Sequence, residues 1–387
     1  MAPHLKWPWL GVAIPSALIS FIAYNAHYFV LKHFLSSTRQ WIFECSVSMI
    51  WISYLLAILS NPGKPTLKKP GSSNRKFCKK CNNWKPERSH HCKTCNQCVL
   101  MMDHHCPWTL NCVGFGNFPH FIRFLAWIII STSQLNWYFI KRILLIWKLR
   151  NDINNASFQR SEFIFLTILT PLNLFIWCTI SMLLIRCLNN QILNGRTQIE
   201  SWEMDRLESL YYHKKLVPIL IDQIWKTYPQ EVTPEKKKEA EIFLQKYERR
   251  RIGFESIVNF PYDVDLITNW NQVLGPILFT LLPWSKPQGD GTLFIKNDIS
   301  KYEKNSPIDD LMLSLSWPPD GGRRQFDVKS GIEQSIVDGE FVIRRRSNSI
   351  ASSSDFNDKP IQTISRNQWE NQWGEQLKDF GVDIDEE

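Results

Sequence analysis

Eleven side chains that bind metals or handle protons crowd into residues 78–112, CKKCNNWKPERSHHCKTCNQCVLMMDHHCPWTLNC. They are seven of the chain's ten cysteines and four of its nine histidines. Cys78 and Cys81 form a C-x2-C pair, and Cys92, Cys95 and Cys98 repeat the three-residue step. His90, His91, His104, His105, Cys106 and Cys112 complete the set. Structural zinc takes four tetrahedral sulfur or nitrogen ligands, and a C-x2-C turn lets two thiolates face one ion; two ions use eight ligands. Three of these side chains are therefore left for other work. The segment has too few apolar residues to bury a core, so metal would supply most of its folding energy, on the order of 10 kcal/mol per structural site.

Spacing does not say which ligands are surplus. Asp103 is a poor candidate for a thiolate-rich zinc site. Asp103, His104 and Cys106 together have the composition of a cysteine nucleophile with a base and an orienting carboxylate. The imidazole would take the thiol proton, the carboxylate would fix its tautomer, and the thiolate would attack a carbonyl. The alternative is that Cys106 is itself a ligand and Asp103 a surface acid. Lys79, Lys80, Lys85, Arg88 and Lys93 either offset the net negative charge of a Cys3His zinc site or attract the phosphates of a cofactor.

The elements that must position this segment are apolar helices. Four stretches are long enough to cross a bilayer, which takes about 20 apolar residues each: Trp9–Leu31, Trp41–Leu59, Phe124–Ile140 and Phe163–Ile185. The first and last carry no charge, the second has only Glu44 near its start, and Pro171 and Asn173 are expected to kink the last. Trp7, Trp9, Trp41, Trp127 and Trp147 sit at or near the ends of these runs, as membrane interfaces favour. A soluble all-helical core is the alternative, but nothing in the remaining sequence would cover so many apolar faces. The mean hydropathy of −0.23 describes neither the apolar first half nor the polar second half. A net charge of +8 fits an anionic membrane surface or a phosphorylated cofactor. The basic residues are not interleaved with stacking aromatics on one face, so nucleic acid is not expected as a partner. No cleavable signal is evident, and the clustered cysteines fit metal binding in a reducing compartment better than a secreted disulfide framework.

Lys and Arg are dense from Lys64 to Lys93, between the second and third spans, whereas the first loop holds only Lys32 and Arg39. The positive-inside rule then places the cysteine-rich loop and both termini in the cytosol. The expected fold class is an α-helical integral membrane protein: four transmembrane helices with a cytosolic two-zinc cysteine-rich domain between spans 2 and 3. Residues 1–60 would carry the first two spans, 61–120 the cysteine-rich domain, and 121–188 the other two spans. Residues 189–290 would form a membrane-proximal cytosolic region and 291–387 a polar, partly disordered tail. Gly275–Trp284 reads as an interfacial segment, and Arg344–Phe356, basic and Ser-rich, as a phosphorylatable linker. No internal repeat is evident.

The DHHC at Asp103–Cys106, set inside C-x2-C, KPERSHHC, C-x2-C-x2-C and NCVGFGN and flanked by two spans on each side, resembles the DHHC protein S-acyltransferases. The resemblance covers roughly residues 10–200. It implies two structural zinc ions, one held by Cys78, Cys81, His91 and Cys98 and the other by Cys92, Cys95, His105 and Cys112. It also implies Cys106 as nucleophile, His104 as base and Asp103 as orienter. Asn61-Pro62-Gly63 stands where the family has Asp-Pro-Gly, and Thr197–Glu200 resembles its Thr-Thr-x-Glu motif with Gln198 in place of the second Thr. That Gln must make a different hydrogen bond. Asn269, Val273 and Gly275 resemble the family's later Asn motif.

The implied reaction is S-palmitoylation. Cys106 takes a long-chain acyl group from acyl-CoA and passes it to cysteines of mainly membrane proteins that face the cytosol. Lys85, Arg88 and Trp108 are the expected acyl-CoA contacts, and Trp108, Phe115, Phe118 and Phe121 are placed in sequence to hold the acyl chain. PWLGVAIP and NGRTQIESWE resemble a fungal subfamily of the endoplasmic reticulum, some of whose members acylate chitin synthase and amino-acid permeases. The expected location is the endoplasmic reticulum membrane, with the Golgi membrane as the alternative. The rival functions are a zinc module that recruits proteins and a cysteine hydrolase that removes acyl groups.

Overall fold

The computed structural model describes residues 7–65, 77–150, 159–249, 252–322, 332–337, 340–345 and 366–384. The chain forms two units: 1–199 with 263–295 and 379–387, and 200–262 with 296–378.

The first unit begins with α1 (Leu10–Asn25), which continues through turns at Ala26–Val30 and Leu31–His33, and then α2 (Ser37–Leu59). After the cysteine-rich segment come α3 (Phe118–Leu149) and α4 (Arg160–Leu188), the latter running on through a π turn at Asn189–Leu193. Among the described residues three helical stretches, Leu10–His33, Ser37–Leu59 and Arg160–Leu193, are long and apolar enough to cross a membrane. Their outward faces show Trp41, Leu59, Phe175 and Met182, a surface that lipid covers more favourably than water.

The remaining expected span lies within α3, whose apolar run is diluted by Ser131–Gln134 and Asn136. These polar groups face neighbouring helices. Ser131 Oγ donates to Ser46 Oγ at 2.9 Å, and Ser46 reaches Gln134 Oε1 at 3.2 Å. Asn173 Nδ2 donates to the Thr132 carbonyl at 2.9 Å and to Asn136 Oδ1 at 2.8 Å. Hydrogen bonds between helices in apolar surroundings contribute about 0.6–2 kcal/mol each. The polar middle of α3 is thus a seam against α2 and α4. Helix α4 passes through Pro171 without interruption, and Asn173 joins helices there.

Between α2 and α3 lie three short antiparallel hairpins: β1 (Phe77–Cys78) with β2 (Asn83–Trp84), β3 (His90–Cys92) with β4 (Gln97–Val99), and β5 (His104–Cys106) with β6 (Asn111–Val113). The registers of the second and third coincide: His91 pairs with Cys98 and Cys92 with Gln97, as His105 pairs with Cys112 and Cys106 with Asn111. Contrary to the sequence reading, there is an internal repeat, of 14 residues. Cys78, Cys92 and Cys106 open equivalent turns, and Cys81, Cys95 and Thr109 stand three residues on. Asn82, Asn96 and Leu110 then take φ of 49°, 49° and 50°. Asn tolerates this left-handed conformation, whereas Leu adopts it only when its surroundings impose it. The third copy hides the period because Thr and Leu replace its Cys and Asn.

The repeats rest on the end of α2. Asn111 Nδ2 lies 2.9–3.3 Å from the carbonyls of Ala57, Ile58 and Ser60, and the Tyr54 hydroxyl donates to the Trp108 carbonyl at 2.7 Å. The Asn61–Gly63 backbone abuts VGFGN so closely that a Cβ on Gly116 would lie 2.3 Å from the Asn61 carbonyl oxygen. Asn61 Oδ1 accepts the Gly63 N–H at 2.9 Å, a bond that an Asp side chain would make equally well.

In the second unit α5 (Leu216–Thr227) and α6 (Pro234–Glu248) pack with a short helix, Ile308–Leu313. Its interior holds a charged network: Glu203 accepts from Arg206 and Arg366, and Arg206 donates to Asp320. Two strands, Ile332–Val337 and Glu340–Arg345, pair as a hairpin. The Ser-rich linker expected at 344–356 lies, beyond Arg345, outside the described residues.

Candidate active site and metal centres

Each Cys3His group is built from two successive repeats, the Cys pair of one and the second His and last Cys of the next. Cys78, Cys81, His91 and Cys98 place their ligand atoms within 4.8 Å of one another, and so do Cys92, Cys95, His105 and Cys112. Sulfur lies 3.3–3.8 Å from His91 Nδ1 in the first group and 3.3–3.7 Å from His105 Nδ1 in the second. Tetrahedral zinc with ordinary Zn–S and Zn–N bonds puts S and N about 3.5 Å apart, so both groups fit the ion. They are the two quartets that the resemblance implies.

The third repeat has a Cys but no pair. Thr109 stands where Cys81 and Cys95 stand, and α3 begins where a fourth repeat would supply His and Cys. Cys106 therefore falls outside both quartets, as do His90 and His104. His90 is the counterpart of His104 one repeat earlier, but the residue before it is Ser89, where His104 has Asp103.

The structure brings Asp103, His104 and Cys106 together. Asp103, 2 % exposed, holds its Oδ2 2.8 Å from His104 Nδ1, which leaves Nε2 for the bond between His104 and Cys106. Burial opposes ionisation of Cys106, which is 4 % exposed. Hydrogen bonding and charge from His104, aided by the Thr109 hydroxyl and the Trp108 N–H, outweigh that penalty and lower the thiol's pKa. Burial likewise disfavours the imidazolium, yet bonds to Asp103 and Cys106 push His104 up to about 10. The two shifts act in the same direction, both favouring a thiolate beside an imidazolium over the neutral pair.

One residue missed by the sequence reading, Gln191, completes the support together with Gln198. Asp103 Oδ1 accepts from Gln191 Nε2 and from the Gln198 backbone N–H, both at 2.9 Å. The Gln198 bond is main-chain, so losing the family's Thr hydroxyl leaves it intact. The π turn that carries Gln191 is held in turn by Asn269, whose Nδ2 donates to the Ile192 carbonyl at 3.1 Å and to Asp263 at 3.0 Å. A single buried Gln at the end of an apolar run was the only sequence signal for Gln191, and its target is 88 residues away.

Around the thiol runs an apolar cluster. Cys106 packs in one core with Tyr54 of α2, Phe115, Phe118, Phe121 and Leu125, and partly buried Ile180 and Leu184 of α4 extend it along the helices. The His104 ring meets Phe121 edge-on at 5.6 Å. Of the residues expected to meet acyl-CoA, Trp108 is exposed, and Lys85 is buried at 3 % exposure. Arg88 donates to the Gly195 carbonyl at 2.7 Å and covers the Phe294 ring at 4.8 Å. Lys80, from the same basic set, pairs with Asp383.

Residues 71–205 match the family described as DHHC palmitoyltransferase. Over its whole length the chain is 54 % identical to the full palmitoyltransferase PFA4 of Saccharomyces cerevisiae. It is 50 % identical to the one from Candida glabrata and 49 % to the one from Eremothecium gossypii, again over the full length of both chains. The chain belongs to the DHHC palmitoyltransferase family, and its activity is that of a membrane-bound protein S-palmitoyltransferase.

Proposed function

We propose that the enzyme works through a Cys106 acyl-enzyme, with His104 as acid and base and Asp103 as its orienter. The observation that carries this reading is the buried Cys106–His104–Asp103 chain, whose thiol stands outside both metal quartets. The thiolate attacks the thioester carbonyl of a long-chain acyl-CoA. The new C–S bond to Cys106 forms as the bond to CoA breaks, and His104 gives its proton to the departing CoA thiolate. In the second step a substrate cysteine gives its thiol proton to His104, attacks the Cys106 thioester, and restores the thiolate. One thioester is exchanged for another at each step, so no further energy source is needed. Each CH2 of the chain buried along the cluster around Phe118, Phe121 and Leu184 contributes roughly 0.8 kcal/mol.

Zinc in both quartets would serve structure, fixing the turn that carries His105 and with it the neighbouring His104 and Cys106. CoA would meet Trp108 and Arg88, whereas Lys85, buried in the loop, is not presented to it. Four crossings, with α3 supplying the third, put the site and both termini in the cytosol. The endoplasmic reticulum is the proposed membrane, and fluorescence microscopy separates it from the Golgi. Proposed substrates are membrane proteins with cytosolic cysteines, chitin synthase and amino-acid permeases among them, on the strength of the subfamily resemblance.

The test is incubation with labelled palmitoyl-CoA, with and without a cysteine-bearing membrane acceptor. Hydroxylamine-sensitive label on the enzyme that moves to the acceptor is expected. Label lost to water alone would indicate a hydrolase, and no label a recruiting module.

Two further outcomes follow from the network. The stabilising effect of protonated His104 is complete below its ordinary 6.5 and is lost as pH rises through about 10. That of ionised Cys106 is complete above the ordinary thiol range and is lost as pH falls through its lowered value. The ion pair lowers the thiol's pKa, so the pH profile for alkylation of Cys106 by iodoacetamide should lie at lower pH than that of an ordinary thiol. In His104→Ala the rate should climb roughly tenfold per pH unit toward an ordinary thiol value of about 8.5. Gln191→Leu removes one of the two bonds to Asp103 Oδ1. Hydrogen bonds to charged groups are worth about 1.5–3 kcal/mol, so single-turnover acylation should slow about ten- to a hundredfold. Gln191→Asn should recover part of it.

A further inference from the structure

Residues 380–384 return to the cysteine-rich segment from far along the chain and touch all three of its repeats. Val382 pairs with Cys92 in an antiparallel bridge. The Asp383 N–H donates to the His91 carbonyl at 2.8 Å, and the Lys93 N–H donates to the Gly381 carbonyl at 3.0 Å. The segment thus lies beside β3 as an added strand, satisfying an edge that a two-stranded hairpin leaves open. Gly381 has φ +82°, and a Cβ there would lie 2.4 Å from the Cβ of His105. No other residue fits against that ligand without displacing it.

The Asp383 carboxylate is fully buried and paired with Lys80, which sits between Cys78 and Cys81. His91 is 1 % exposed and uses Nδ1 toward the three sulfurs of its quartet; its Nε2 makes no hydrogen bond among the described residues. Asp383 Oδ2 lies 3.9 Å from that Nε2. Metal-bound histidines usually present their second nitrogen to a carboxylate or carbonyl, which fixes the ring and strengthens it as a donor. A bare carboxylate beside a Cys3His site of net charge −1 would be repelled, and Lys80 supplies the compensating charge.

We infer that residues 380–383 are a latch that completes the metal-binding domain. Asp383 acts as the outer carboxylate of His91, and Gly381 is the seat for His105. Asp383 is a positioning residue, since it reaches the site through a ligand. Through His105 the latch also steadies His104, the adjacent residue. The inference rests on the zinc reading of the two quartets.

The experiment uses the full chain and measures zinc content by mass spectrometry, then zinc release to a chromogenic chelator. Unsubstituted protein should hold about two zinc ions; none would remove the zinc reading itself. Asp383→Ala should lose zinc about ten- to a hundredfold faster from one site, with Cys78, Cys81 and Cys98 the first cysteines to become alkylated. Gly381→Ala should speed release from the other, exposing Cys92, Cys95 and Cys112. Release from both variants at the unsubstituted rate would overturn the latch. A second measurement needs no substitution. Hydrogen exchange at the Lys93 and Asp383 amides should be slowed at least about tenfold relative to an unstructured peptide, and exchange at the free-peptide rate would overturn it equally.

Discussion

Removing zinc with a strong chelator is expected to abolish acylation and to open residues 77–113 to proteolysis, both reversed by adding zinc back. The hairpins of this segment have strands of only two or three residues. Isolated two-stranded hairpins are marginal in water at best. A structural zinc site contributes on the order of 10 kcal/mol, comparable to the whole stability of an ordinary domain at about 5–15 kcal/mol. Because each quartet joins two repeats, losing either ion frees two hairpins at once. The His105 ligand is the residue between His104 and Cys106 in β-strand register, so the thiolate pair should disperse with the second site. Activity should fall at least about a hundredfold, and helical content from α1 to α4 should persist, since the helices pack through their own seams. Loss of activity with no new cleavage in 77–113 would mean that the metal does something other than hold the segment.

Why part of this was legible in the sequence, and part was not, follows from the range of the interactions. Metal sites declare themselves because C-x2-C turns place two ligands locally, and the helices declare themselves through the length of their apolar runs. The split of eleven ligands into two quartets and a remainder did not follow from spacing, since the 14-residue period fades where Thr109 and Leu110 replace Cys and Asn. Phe124–Ile140 scored as apolar by its length, but its polar middle is occupied in bonds to Ser46 and Asn173, which only packing reveals. Gln191 and Asp383, and the partners of Asn269, were out of reach for the same reason. Each acts on residues 77 or more positions away, through a hydrogen bond, or a close carboxylate approach at Asp383, that leaves no periodic trace. At Asn61 and Gln198, where the chain departs from the family pattern, Asn offers an accepting oxygen and the bond from Gln198 to Asp103 is main-chain.

Cys106→Ala has the largest expected effect, because no neighbouring group can replace the thiolate. Cys187 lies in the same apolar core but on α4, without a bond to His104 in the described structure. Since Cys106 is the unpaired member of the third repeat, removing its sulfur should leave both quartets whole. The decisive measurement is therefore a double one on purified Cys106→Ala: label from palmitoyl-CoA, and zinc per chain. The account requires no detectable hydroxylamine-sensitive label and no transfer to acceptor, with about two zinc ions retained. Retained label would place the acyl-enzyme elsewhere, and loss of a zinc ion would make Cys106 a ligand; either result contradicts it.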